Sequence, residues 1–191
     1  MNSYEEFSEM FDISLDSVFD EFYGEFNLRE LVESANSLKG TIHEKTKSLI
    51  DNLFEWIPRL IRRLLNVLRN KVSTSPDERV VIRNENDNDA VLIWVLDNTN
   101  SAGNALRDII DQKKGASTIR LSESYSRTLS TSELHTLNLM IKRVREYWRR
   151  EKDKKNDHTN DLKHFQELAR ILAAISKSLQ KLLKQISASK S

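Results

Sequence analysis

The sequence predicts an all-α protein: an elongated helical bundle with a small acidic, aromatic N-terminal helical cap and a C-terminal antiparallel helical hairpin. Three observations support this fold class. The chain has only 4 Gly and 2 Pro in 191 residues, well below their usual shares of roughly 7% and 5%. Apolar residues recur at steps of three and four over long stretches. Ser or Thr stands three residues before Glu at several expected helix starts.

Residues 1–40 are predicted to form the acidic cap, as two or three short helices. Residues 1–36 contain ten acids and one base, a net charge of −9, and five of the seven Phe residues. A segment with so many large apolar side chains has too much to bury for a disordered tail. We expect it either to pack its aromatic side on the next helix, with its acids toward that helix's arginines, or to form an independent cap.

Residues 41–72 are predicted to form a cationic amphipathic helix around which the rest of the chain is organised. Its apolar residues fall on one stripe and its arginines largely on the other side. Thr41 and Glu44 have the spacing of a capping box. Pro58 removes a backbone donor and crowds the preceding turn, which predicts a kink, or two helices that meet near Trp56.

Residues 73–129 are predicted to connect this helix to the C-terminal part of the chain. The connector contains one helix at about 90–113, with Gly115 as its stop, and a Ser-rich extended loop at 116–129. Residues 79–89 contain β-branched residues and then a polar run, which fit a short helix or an isolated strand equally well. Val91 to Val95 alone could also be a buried strand, but because no convincing partner strand is evident, we favour a helix from Ala90 onward.

Residues 130–191 are predicted to form the helical hairpin. Ser130 and Glu133 open its first helix with a capping box. Two series of apolar residues, each with a spacing of seven, mark its second helix: Phe165, Leu172, Leu179 and Ile186, and Leu168, Ile175 and Leu182. The flanking positions are small or apolar instead of alternately charged, which favours a bundle over a two-stranded coiled coil.

The sequence contains little that indicates catalysis. There is no Cys, the glycines are scattered singly, and the four His lack the spacing of metal ligands. The cluster Asp157, His158, Asp161 and His164 is interpreted as solvated polar groups near a helix end, and the paired N-terminal carboxylates as a solvated acidic face. We therefore predict no enzymatic activity, no cofactor and no metal.

One basic stretch has a composition typical of nucleic-acid contacts. Residues 142–155 carry eight bases interleaved with Tyr147 and Trp148. Trp148 falls on the apolar side and is expected in the core, and Glu and Asp in the same stretch favour an ordinary bundle surface. The candidate contacts are Lys142, Arg143, Arg145, Arg149, Arg150 and Lys152.

A second candidate surface lies on the helix predicted for residues 41–72, as a partner or lipid interface. Aromatic residues beside arginines, opposite a wide apolar face, are typical of helices that settle on anionic membranes. We expect protein packing to cover the apolar stripe instead, with the acidic cap as a nearby partner. The candidate residues are Phe54, Trp56, Arg59, Arg62, Arg63 and Arg69.

The function expected from these features is association without catalysis. Net charge is segregated, because residues 1–36 carry −9 whereas residues 142–191 carry fourteen bases and six acids, or +8. We expect a structural or assembly protein that forms homo-oligomers or docks in a larger complex, such as a virion or scaffold. The alternatives are a membrane-active protein whose acidic cap shields the cationic helix, and a nucleic-acid-binding protein. With no signal peptide or long apolar run evident, we expect it in the cytoplasm or within a particle.

Overall fold

The computed structural model describes residues 42–69, 79–113, 126–154 and 161–188. In these ranges the elements are α1 (Ile42–Arg69), β1 (Arg79–Arg83), α2 (Asp87–Asp97), α3 (Thr99–Ile110), β2 (Ser126–Ser130), α4 (Thr131–Glu151) and α5 (Asp161–Ala188). The predicted all-α class is confirmed, with one small sheet added. The predicted cap at residues 1–40, together with Thr41 and residues 70–78, lies outside the described residues.

Helix α1 buries the apolar stripe that the sequence predicts. Its larger apolar residues from Leu49 to Leu64, apart from Trp56, are at most 1% exposed, and α1 packs mainly on α5 and also on α4. The helix is continuous through Pro58, so the alternative of two helices meeting near Trp56 was wrong. Interior proline costs about 3 kcal/mol or more, whereas burial of each large apolar side chain contributes about 1.5–3 kcal/mol. Several such side chains on both sides of Pro58 offset its cost.

The middle of helix α5, residues 171–180, is enclosed on all sides, whereas α1 is not. Both series of apolar residues spaced by seven are buried, and so is every residue from 171 to 180. Helix α5 packs on α1, α2 and α3, whereas α1 exposes Arg59, Arg62 and Arg69. The interpretation of α1 as the helix around which the chain is organised is therefore corrected.

The two C-terminal helices meet near their connected ends but do not form a closely packed pair. Trp148 of α4 packs edge-on against Phe165 of α5, with 5.1 Å between ring centroids. Away from this end, each helix makes its more extensive contacts with α1. The two helices therefore do not form the expected direct hairpin. Instead, α1 packs against both of them, because its wide apolar stripe offers each helix more apolar surface than the other arm does.

The connector contains two helices, not the single helix predicted at about 90–113. Helix α2 is capped at its N-terminus by Asn86, whose side chain accepts a hydrogen bond from the Asp89 amide at 3.1 Å. Asn98 caps its C-terminus, where φ −129° and ψ 41° leave the helical region and the side chain donates to the Trp94 carbonyl at 3.0 Å. Asn competes for backbone hydrogen bonds and so favours helix ends over interiors. The choice of helix for residues 90–96 was correct.

Strands β1 and β2 pair antiparallel, with Arg79 opposite Ser130 and Arg83 opposite Ser126. Residues 126–129 therefore belong to a strand, and their assignment to an extended loop was wrong. The buried side chains of Ile82 and Leu129 hold this pairing against the bundle. The two segments lie far apart in the chain, so the sequence provides no local signal of their pairing.

The predicted capping box of α4 is confirmed and extended by a charged contact. The Glu133 amide donates to Ser130 Oγ at 3.3 Å, and the Ser130 amide donates to Glu133 Oε1 at 3.1 Å. Arg127 of β2 donates to Glu133 and to Asp97 at the end of α2. Burial alone would raise the pKa of Glu133, but the Ser130 amide and the Arg127 guanidinium hold it below its ordinary value. This network fixes where α4 begins.

Candidate functional site

The inner side of α4 anchors it to the bundle. Its buried residues are Leu134, Leu137, Met140, Ile141, Val144 and Trp148. Trp148 Nε1 donates to Asp51 Oδ1 at 2.7 Å, and Lys152 Nζ contacts Asp51 Oδ2 at 2.9 Å. One carboxylate of α1 therefore binds both side chains. The prediction that Trp148 belongs to the core is confirmed, so its ring is not available to stack on a base.

The outer side of α4 carries basic side chains that have no acidic partner in the part of the chain that the structure describes. Lys142, Arg143 and Arg150 are exposed and Arg145 is half-buried. Within the described ranges, none of these four makes an ion pair or side-chain hydrogen bond. We call them the cationic face. The other two predicted contacts are engaged: Arg149 pairs with Glu146 at 3.0 Å, and Lys152 pairs with Asp51.

A groove of about 300 Å³ lies beside the cationic face, between α3 and α4. Helix α3 supplies Thr99, Asn100, Gly103, Asn104 and Arg107, and α4 supplies Thr136, Leu139, Met140, Arg143 and Val144. Among the residues that the structure describes, the lining contains two guanidinium groups, two amides and two hydroxyls, but no carboxylate. Its volume is at the lower end of the usual range for ligand pockets, about 300–1,000 Å³. The groove is therefore an electropositive cleft with an apolar floor.

Arg107, which lines the groove from α3, is held by an aromatic ring. Its guanidinium carbon lies 5.6 Å from the centroid of the Tyr147 ring, within the range of a cation–π contact. Its Nε is buried without a hydrogen-bond acceptor among the described residues. The Tyr147 hydroxyl donates to Asp111. Burial, as the larger cause, and this hydrogen bond together raise the pKa of Tyr147 to about 12. Arg107 is thus positioned by a neutral ring, while its Nε donor finds no acceptor within the described ranges.

The groove also contains an exposed leucine. Leu139 is 55% exposed and is one of two large apolar side chains exposed in the described part of the chain, with Val81. It lies between the buried positions 137 and 140 of α4, facing outward. An exposed leucine alone is ordinary, but here it adjoins Met140 and Val144 and extends the apolar floor toward solvent.

The candidate interface on α1 is divided by the structure. Phe54 is 0% and Trp56 is 4% exposed, so both aromatic residues belong to the core. Arg59, Arg62 and Arg69 are exposed and Arg63 is half-buried. The aromatic and basic side chains therefore do not share one accessible surface, as lipid insertion would require.

Where the structure describes the chain, no three His, Asp or Glu side chains gather as a metal site would need. None of the described helices combines the length and apolar character of a membrane-crossing segment. His43 stacks on Phe165 at 5.0 Å between centroids. The predicted polar turn at residues 156–160 lies outside the described residues.

Sequence reasoning identified Arg143 but missed Arg107, Asn100, Asn104 and Leu139. One signal was available for Leu139, because it falls off the apolar stripe of α4. No signal was available for Arg107, since its proximity to Tyr147 depends on how two helices from distant parts of the chain pack. Comparison of the chain with protein-family models, curated proteins and solved structures found no match.

Proposed function

We propose that this protein is a non-catalytic assembly protein, in which the cationic face of α4 binds an acidic segment of a second copy. The observation that carries the proposal is a group of bases, Lys142, Arg143, Arg145 and Arg150, that have no acidic partner among the described residues and lie on an otherwise well-packed helix. Bases without local acidic partners attract an oppositely charged surface and steer its approach.

A second copy is favoured as the partner because the chain carries both complementary charges. Residues 1–36 hold ten acids and one base, and residues 142–191 hold fourteen bases and six acids. The acidic segment also contains five Phe residues, which supply the apolar contacts that anchor an interface. Intermolecular pairing of these two regions would generate oligomers, or place the protein in a larger assembly.

Charge, rather than a broad apolar face, is the expected basis of association. Val81 and Leu139 are the large apolar side chains exposed in the described ranges, and the apolar stripes of α1, α4 and α5 are internal. A stable apolar dimer interface needs a contiguous exposed patch. An electrostatic interface needs only the cationic face and its acidic partner.

Nucleic acid is the second candidate partner for the same face. The exposed Lys142, Arg143 and Arg150 are suited to phosphate contacts. Three of the features that favoured this function are weaker in the structure, because Trp148 is buried, Arg149 pairs with Glu146 and Lys152 pairs with Asp51. Membrane insertion through α1 has weaker support, since Phe54 and Trp56 are in the core.

Light scattering of the full-length protein across salt concentrations tests the proposal. We expect oligomers at low salt that dissociate above about 0.5 M, because exposed charges are screened within a few ångströms there. The double variant Lys142→Glu and Arg150→Glu should be monomeric at low salt. The matched control, Arg62→Glu and Arg69→Glu, makes the same change in charge on exposed residues of α1 and should still form oligomers.

Two results would contradict the proposal. One is a monomer at every salt concentration, and the other is equal dissociation of the variant and its control. A salt-dependent mobility shift with duplex DNA, lost only in the α4 variant, would favour nucleic acid instead.

A further inference from the structure

The groove between α3 and α4 combines three features that the packing of the bundle does not require. Arg107 has a buried Nε without an acceptor among the described residues. Arg143 lines the groove from the opposite helix and has no ion-pair partner in the same ranges. Leu139 is exposed beside them. An unsatisfied donor, an unpaired cation and an exposed apolar side chain in one cleft indicate a binding site.

The polar groups define what the groove would bind. A guanidinium offers a planar fork of donors that matches a carboxylate, and its stacking on Tyr147 fixes its orientation. A carboxylate placed there would satisfy the Arg107 donor and meet Arg143 from the other side. Asn100 and Asn104, one turn apart on α3, present amide groups that can both donate to and accept from a peptide backbone.

The apolar groups narrow the choice further. Met140 and Val144 form the floor and Leu139 forms part of the rim. Methionine adapts its shape to an incoming side chain, and a volume of about 300 Å³ admits only one or two large side chains. The site is therefore suited to a short peptide with a carboxylate close to a large apolar residue.

We infer that the groove is the specific binding site for the N-terminal segment of a second copy, residues 1–12, MNSYEEFSEMFD. This inference rests on the proposed function for the identity of the partner. The segment places Glu6 directly before Phe7, and Met10 and Phe11 between Glu9 and Asp12. Carboxylates and large apolar side chains thus stand next to each other in this segment. The cationic face attracts the acidic segment, and the groove selects its sequence.

The test measures fluorescence anisotropy of two labelled peptides with the full-length protein: residues 1–12, and a scrambled peptide of the same composition. Both peptides carry the same charge, so the cationic face alone binds them equally. If the groove selects the sequence, the native peptide should bind about tenfold more tightly than the scrambled one. Failure to make one charge-assisted hydrogen bond typically lowers the affinity by about this factor.

Variants separate the groove from the cationic face. Arg107→Gln and Leu139→Ala should abolish the preference for the native peptide. Arg150→Gln should weaken the binding of both peptides by a similar factor and leave the preference for the native peptide unchanged. Because Leu139 is exposed, the Leu139→Ala variant should fold normally, which circular dichroism would check. This variant therefore still tests the groove if the Arg107→Gln variant is unstable.

The outcomes distinguish the two proposals. Equal binding of both peptides, or a preference that survives both groove variants, overturns the groove inference and leaves association through the cationic face standing. Absence of binding to either peptide also overturns the inference, and light scattering then decides the proposed function independently. Displacement of the native peptide by inorganic phosphate, at concentrations that leave the scrambled peptide bound, would assign the groove to a simple anion and overturn the peptide as its ligand.

Discussion

Helices α4 and α5 are both rich in lysine and arginine, yet their charges have different roles. In α5, Lys181 Nζ lies 2.8 Å from both Asp89 Oδ2 and Glu85 Oε2. In α4, the bases of the cationic face have no such partner among the described residues. The structure pairs Lys181 with acids of neighbouring elements and leaves the cationic face of α4 accessible to another molecule.

The contacts of Asp89 show how the charge of α5 is used within the fold. Asp89 is 2% exposed, and its other oxygen accepts a hydrogen bond from Ser178 Oγ at 2.7 Å. Burial would lower the pKa of Lys181, but its bonds to Asp89 and Glu85 outweigh this and raise it. The network joins α2 to α5 and fixes their relative position. The number of bases in a sequence does not distinguish a helix whose charges form such an internal ion-pair network from one whose charges form a binding surface.

The largest expected difference between the helices comes from one substitution made in each. Leu172→Ala in α5 removes a fully buried side chain and should lower the free energy of unfolding by about 2–5 kcal/mol. Leu139→Ala in α4 removes an exposed side chain and should change it by less than about 0.5 kcal/mol. Urea denaturation of both variants measures the contrast. Similar losses for the two would show that α5 is not the enclosed helix.

A smaller effect is expected from breaking the joint between α2 and α5. Asp89→Ala leaves the buried Ser178 hydroxyl without its acceptor and Lys181 with Glu85 alone. We expect a loss of about 2–3 kcal/mol, below the usual cost of an unpaired buried charge, because Lys181 is partly exposed and keeps one partner. Glu151→Ala, which removes the more exposed pair with Lys154, is the control and should cost at most about 0.5 kcal/mol. Thermal and urea unfolding would measure both, and equal losses would contradict a structural role for Asp89.

The smallest effect concerns pH and the start of α4. The pKa of Glu133 in the folded protein lies below its ordinary value of 4.5, so its contribution to stability is present above about pH 4.5. That contribution is lost as pH falls through the folded pKa. Glu133→Gln should therefore lower stability by about 1 kcal/mol at pH 7, and the difference from the parent should shrink on acidification. Glu146→Gln, at an exposed pair, provides the control. A difference that stays constant from pH 7 to pH 3 would refute the role of the carboxylate.

Local spacing in the sequence was sufficient for the features that depend on neighbours along the chain. Three features each depend on residues only a few positions apart: the capping box of Ser130 and Glu133, the buried stripe of α1 and the spacing of seven residues in α5. Their geometry follows from the helical repeat, so the structure reproduces them. The core position of Trp148 was predictable for the same reason.

Long-range packing decided the remaining features. The antiparallel pairing of β1 with β2, the enclosure of α5 and the break at Asn98 all depend on where distant segments meet. The groove is the clearest case, because Arg107 of α3 comes close to Tyr147 and Arg143 of α4 only when the two helices pack together. The sequence alone determined which residues could form helices and which faces were apolar or charged. Tertiary structure determined which charges found partners, because that depends on distances in space and not on position in the chain.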